Sequence, residues 1–70
     1  MMVFEKKKFI ITMTFCNGLN EVRCMEVYHP DTARKAALMW LRSSFKATAV
    51  RVQLDDGREL MNVVKKGGVQ

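Results

Sequence analysis

Few side chains in this sequence have the chemistry of a catalyst. His29 is the only histidine, and it directly precedes Pro30 at the start of the longest periodic segment. A histidine there serves more readily as a helix cap or connector than as a general base. Asp55, Asp56 and Glu59 bring carboxylates close together, but Asp55-Asp56-Gly57 is ordinary turn chemistry. An exposed tip cannot shift carboxylate pKa values as acid–base work requires. Cys16, Cys24 and one histidine fall short of the ligand set of a zinc site. There is no Gly-rich phosphate loop, no His-x-Glu and no Cys-x-x-Cys. The expectation is a protein that is not an enzyme, with no catalytic residues, no cofactor and no metal.

The basic residues offer more. Twelve Lys and Arg against seven Asp and Glu give a formal net charge of +5, which favours anionic partners. Lys6, Lys7 and Lys8 form one run; Arg34, Lys35 and Arg42 fall in the periodic segment, with Lys46 just beyond it. At about 100° per residue, Lys35, Met39 and Arg42 share one stripe of a helix, with Leu38 at its edge. Such a stripe combines apolar contact with electrostatic steering. The expected partner-binding residues are Arg34, Lys35, Met39, Arg42 and Lys46, with Arg51 in a following strand. Aromatic stacking of bases is not provided for: Phe9, Phe15 and Trp40 have inward parity, Phe4, Tyr28 and Phe45 are peripheral, and no RNP-like run occurs. Contact with nucleic acid would be through phosphates and blind to sequence.

The element that must position these cations is the segment 30–45, PDTARKAALMWLRSSF. Ala33, Ala37, Trp40 and Ser44 fall in one sector, with Ala36 and Leu41 on its edges, so the helix has a small-residue face and one large anchor, Trp40. Pro30 suits the first helical position and Asp31 the positive end of the dipole. Before it, alternation predicts strands over 7–16 and 19–28, joined at Asn17-Gly18, a strong hairpin signal. A three-residue loop would pair Phe9 with Val27 and Ile11 with Met25, leaving Val22 and Cys24 on the outer face beside Thr12 and Thr14. Cys24 would face Thr12, or Ile11 with a two-residue turn. Neither places it opposite Cys16, so the thiols are expected reduced.

After the helix, 47–54 and 58–64 read as two more strands around Asp55-Asp56-Gly57, with Val50, Val52 and Leu54 inward; whether Leu60 or Met61 points inward depends on the turn. The order is ββαββ. A right-handed crossover lays strand three beside strand one, giving an α+β fold with one helix on a four-stranded antiparallel sheet ordered 2-1-3-4. The other face, carrying Ile10, Thr12, Thr14, Val22, Cys24, Arg51 and Gln53, would be uncovered and semi-apolar.

Seventy residues make a single domain, 1–70, with 1–6 and 66–70 expected to be flexible and a core too thin for a deep cleft. No apolar region follows the first lysines as in a signal peptide, and no stretch reaches the ~20 apolar residues of a membrane span, so a cytoplasmic protein without membrane contact is expected.

The succession KKKFIITMTF, a hairpin, EVYHPDTARKAALMW and ATAVRVQL resembles small phage-encoded host-takeover inhibitors. It is similar to the coliphage inhibitor of bacterial RNA polymerase, with a Lys-Lys-Phe strand, a hairpin, an Ala-Leu and Trp helix and a Val-x-Arg-Val-like strand in the same order. It also resembles anti-CRISPR proteins built from one helix on an antiparallel sheet. Arg51 matches one of two arginines on that inhibitor's last strand, and Gln53 stands in place of the other. The resemblance implies a small protein without an active site that blocks a large host machine by occupying its surface. The expected function is accordingly a non-enzymatic, anti-CRISPR-like inhibitor whose basic face binds a host protein or nucleoprotein complex. The alternative is a direct, sequence-nonspecific nucleic-acid-binding module. Either would act as a monomer or a homodimer, the latter formed through the uncovered face or a free sheet edge.

Overall fold

The computed structural model describes residues 5–65. Within them the chain runs β1 (Lys7–Phe15), β2 (Asn20–Val27), α1 (Pro30–Ser43), β3 (Ala47–Leu54) and β4 (Glu59–Val64). The strands form one antiparallel sheet in the order β2-β1-β3-β4, as the crossover argument requires, and α1 covers one face. Phe4 and most of the ends expected to be loose lie outside the described residues.

One apolar cluster holds the layers together. Phe9, Ile11 and Met13 of β1 and Ala47, Val50 and Val52 of β3 point at the helix, which answers with Ala33, Ala37 and Leu41. The two central strands thus supply the floor, and the two alanines let the helix axis come close to it. Trp40 is not the centre of the buried stripe, as its sector had suggested. Leu41 takes that place at 4% exposure, and Trp40 is half-buried at the margin. An indole is too bulky for the narrow gap that Ala33 and Ala37 impose. It leans towards β2 instead, where the Arg23 guanidinium lies 3.9 Å from its ring centroid.

The β1–β2 register differs from expectation by two residues. Phe9 pairs with Met25, Ile11 with Arg23 and Lys7 with Val27. The loop is indeed three residues long, but it occupies 16–18. The Phe15 N–H donates to the Leu19 carbonyl and the Gly18 N–H to the Phe15 carbonyl, both at 2.9 Å. Gly18 supplies the positive φ, 87°, that the turn needs. A shift of two preserves parity, so Val22 and Cys24 still lie on the open face, with Cys24 opposite Ile10 rather than Thr12 or Ile11. Both cysteines are free and exposed.

The Leu60 and Met61 alternative resolves through a bulge. Val52 pairs with Met61 but Gln53 pairs with Glu59, so Leu60 is the extra residue, and both Leu60 and Met61 pack on the core side.

The helix begins as its sequence dictates, with His29 extended at the N-cap, Pro30 in the first turn and Asp31 at the positive dipole end. Its last turn is closed by the Ser44 N–H donating to the Trp40 carbonyl at 3.0 Å. A domain this size has about 4–10 kcal/mol of stability in total. Leu41→Ala is therefore expected to remove a large share, about 3 kcal/mol. Ala37→Leu should cost about 2 kcal/mol by prising the helix off the sheet, although leucine is a good helix former. Urea denaturation of each variant checks both values.

Candidate docking surface

Two of the turn carboxylates have identifiable local roles. Asp56 accepts a hydrogen bond from the Arg58 N–H at 2.9 Å, which shapes the β3–β4 turn, and Glu59 lies 3.4 Å from the Arg51 guanidinium. His29 sits exposed at the helix N-cap and makes no side-chain capping bond. An open groove of about 620 Å³ lies at that end of the sheet. It is lined by Lys6, Lys7, Lys8, Glu26, Asp55, Asp56, Arg58 and Leu54, a mixture of both charges in contact with solvent. Among the described residues no group of His, Cys, Asp and Glu is clustered so as to hold a metal ion.

The six expected partner-binding residues divide into three sets. Lys35, Met39 and Arg42 are exposed on the outer side of α1, and Lys46 follows in the turn after it. The helical rise spreads the first three over about 10 Å. Among the described residues none of these cations has a carboxylate within ion-pair distance. Arg34, by contrast, is held by Asp31 at 2.6 Å, so part of its charge is already spent within the first helical turn. Arg51 stands apart from all of them. Its strand partners Thr12 and Asn62 belong to the open face, so it points to the opposite side of the sheet and pairs there with Glu59. It cannot share a surface with Lys35.

A residue set aside as peripheral proves the most prominent. Phe45 is 94% exposed, immediately between the helix end and Lys46. The Ala47 N–H donates to the Ser44 carbonyl at 3.0 Å, so Phe45 and Lys46 are the two corner residues of a turn, where side chains project outward. The Cys16 N–H donates to the Lys46 carbonyl at 2.9 Å and binds the β1–β2 loop to the same end of the molecule, which also bears Leu19 at 65% exposure. The Lys65 ammonium anchors that end by donating to the Ser44 carbonyl at 3.1 Å. From Thr32 to Leu54 the chain contains no Asp or Glu, so beyond Asp31, which holds Arg34, the helix and the turn after it carry no carboxylate. The Ser-Ser-Phe-Lys sequence carried the signal for Phe45: an aromatic just past a helix end, in a segment too short to fold back on the core.

No helix among the described residues is long and apolar enough to cross a membrane. No family model, curated protein or solved structure matched the chain.

The surface is apolar and cationic at once, a combination that solvent alone does not favour. If Phe45 serves a partner and not the fold, Phe45→Ser should change the free energy of unfolding by no more than about 0.5 kcal/mol. A chemical denaturation curve measures this, and a loss beyond about 1 kcal/mol would mean the ring is packed.

Proposed function

We propose that this chain is a non-enzymatic inhibitor of the phage-encoded, anti-CRISPR-like kind, which docks the outer side of α1 and the turn after it on an anionic surface of a host nucleoprotein complex in the cytoplasm. The observation that carries this reading is the stripe Lys35, Met39, Arg42, continued by Phe45 and Lys46: exposed, without local carboxylates, and mixing cations with apolar side chains. The cations steer the encounter, and Phe45 and Met39 supply the contact area that holds it. A folded one-helix layer with this stripe has the chemistry of a plug.

Direct binding to nucleic acid is the reading to separate from it. Stacking would need exposed rings on the uncovered sheet face, and the strand residues there, Ile10, Thr12, Thr14, Val22, Cys24, Arg51 and Gln53 among them, include no aromatic. Leu19 and Met39, flanking the cations, suit a protein surface better than bases.

The test uses the tagged chain as bait in a nuclease-treated bacterial lysate, with a gel shift on random-sequence duplex and single-stranded DNA alongside. The double substitution Lys35→Glu with Arg42→Glu is expected to abolish capture while leaving the far-ultraviolet circular dichroism unchanged. Undiminished capture by that variant would contradict the assignment. A gel shift that weakens steeply with salt, by roughly 0.9 logarithmic units of affinity per phosphate contacted for each tenfold rise, would favour the nucleic-acid module instead.

A further inference from the structure

β2 is an outer strand of the sheet, and among the described residues nothing pairs along its free side. Sheet edges are commonly blunted by brevity, a bulge, a proline or a lysine. β4, at the opposite edge, is short and carries the bulge at Leu60. β2 has no bulge, proline or lysine, and its charges, Glu21, Arg23 and Glu26, are of both signs, so a second strand can match them as well as be repelled by them. Asn20–Val27 contains neither Pro nor Lys, its pairing with β1 runs unbroken from Val27 to Asn20, and it is exposed through Cys24.

The direction of its peptide groups follows from one bond. The Phe15 N–H to Leu19 carbonyl contact makes that pair hydrogen-bonded, and antiparallel ladders alternate. Glu21, Arg23, Met25 and Val27 therefore direct their peptide groups at β1. Asn20, Val22, Cys24 and Glu26 direct theirs outward, where a further strand would meet them.

We propose that this edge pairs antiparallel with β2 of a second copy, about a twofold axis perpendicular to the sheet and centred on Val22. Registers centred on residues 21 to 25 all join outward-directed groups. Centring on Glu21 opposes like charges and centring on Met25 pairs no opposite ones within the strand; charge separates the three between them. Centring on Arg23 sets it against the second copy's Arg23, which is repulsive. Centring on Cys24 sets Glu21 against Val27 and Arg23 against Met25, matching no charges. Centring on Val22 sets Glu21 against the second copy's Arg23 and Arg23 against its Glu21, a favourable cross-strand pair made twice. It also joins Val22 to Val22 and Asn20 to Cys24, for about six main-chain hydrogen bonds. Within one chain the Arg23 guanidinium lies 3.0 Å from Glu21 and 3.9 Å from the Trp40 ring centroid. The Arg23 and Glu21 side chains are 58% and 48% exposed, so pairing across the axis exchanges the local ion pair for its symmetric equivalent.

The result is one continuous sheet with both helices on the same side. The two Lys35–Arg42 stripes then face the same way, a bivalent cationic surface whose avidity exceeds that of either copy. The pairing does not depend on what those stripes bind.

Sedimentation equilibrium of the full chain under reducing conditions, up to sub-millimolar concentration, should give a mass twice 8.1 kDa. Val22→Lys brings two ammonium groups together at the axis and should raise the dissociation constant by roughly tenfold or more. Val22→Pro removes an outward N–H that β1 does not use and should act likewise, with circular dichroism reporting the fold of both. For the register, a Glu21→Cys chain is mixed with an Arg23→Cys chain, each also carrying Cys16→Ser and Cys24→Ser. These positions form a non-hydrogen-bonded pair with alpha carbons about 4.5 Å apart, so mild oxidation should yield the mixed disulfide. A mass of 8.1 kDa at every concentration would overturn the proposal. So would a dimer that both folded Val22 variants leave intact, or an Arg23→Cys chain that cross-links to itself in preference to its mixed partner.

Discussion

The close seating of α1 on β1 and β3 is the constraint from which the rest follows. Ala33 and Ala37 are fully buried, and they allow Leu41 to reach a floor made of Phe9, Ile11, Met13, Val50 and Val52. A chain of this length has no second layer to spare, so this one interface must carry most of the hydrophobic stabilisation. Because the inner side of the helix is committed to the sheet, its outer side is committed to water or to a partner. Lys35, Met39 and Arg42 are where they are because Ala33, Ala37 and Leu41 are where they are. The same thinness explains why the molecule presents surfaces and turns rather than an enclosed pocket.

The Arg23–Trp40 contact is the second consequence. The alanine gap excludes the indole, which lies at the β2 margin under a guanidinium instead of in the core. β2 is otherwise the least covered strand, and this contact, with Met25 and Val27, ties it to the helix layer. Structure and charge are divided along the molecule. The end bearing the β3–β4 turn and the helix start mixes charges: Asp31, Asp56 and Glu59 are paired with Arg34, Arg58 and Arg51, and Asp55 lies there with Lys6, Lys7 and Lys8. The end bearing the β1–β2 loop and the α1–β3 turn carries Lys46, Phe45 and Leu19.

Element order, sheet order and the facing of nearly every strand residue were legible because they rest on periodicity and on the handedness of the crossover, which tolerate small errors. The β1–β2 register was not, since Asn17-Gly18 fits more than one loop and only parity is protected against a shift of two. The bulge at Leu60 was hidden because both Leu60 and Met61 are apolar and alternation alone admits one of them. Trp40 was overrated since angular position ignores volume: the centre of a small-residue face is where a large ring does not fit. In the docking surface, Lys35, Met39 and Arg42 followed from helical geometry. Arg51 was grouped with them by charge and by its match to an arginine of the resembled inhibitor, although strand parity with Val50 and Val52 places it on the other face. Phe45 was set aside as peripheral because a turn residue belongs to no periodic face.

The central claim, that α1 buries its alanine and leucine side and leaves the Lys35–Met39–Arg42 side free, can be read directly from methionine methyl resonances. In a carbon-13 methyl-labelled sample titrated with a soluble, uncharged paramagnetic agent, the Met39 methyl, on a residue 69% exposed, should broaden strongly, while that of Met13, fully buried beneath the helix, should be protected. A Met39 signal as protected as that of Met13, or a Met13 signal as broadened as that of Met39, would contradict the account.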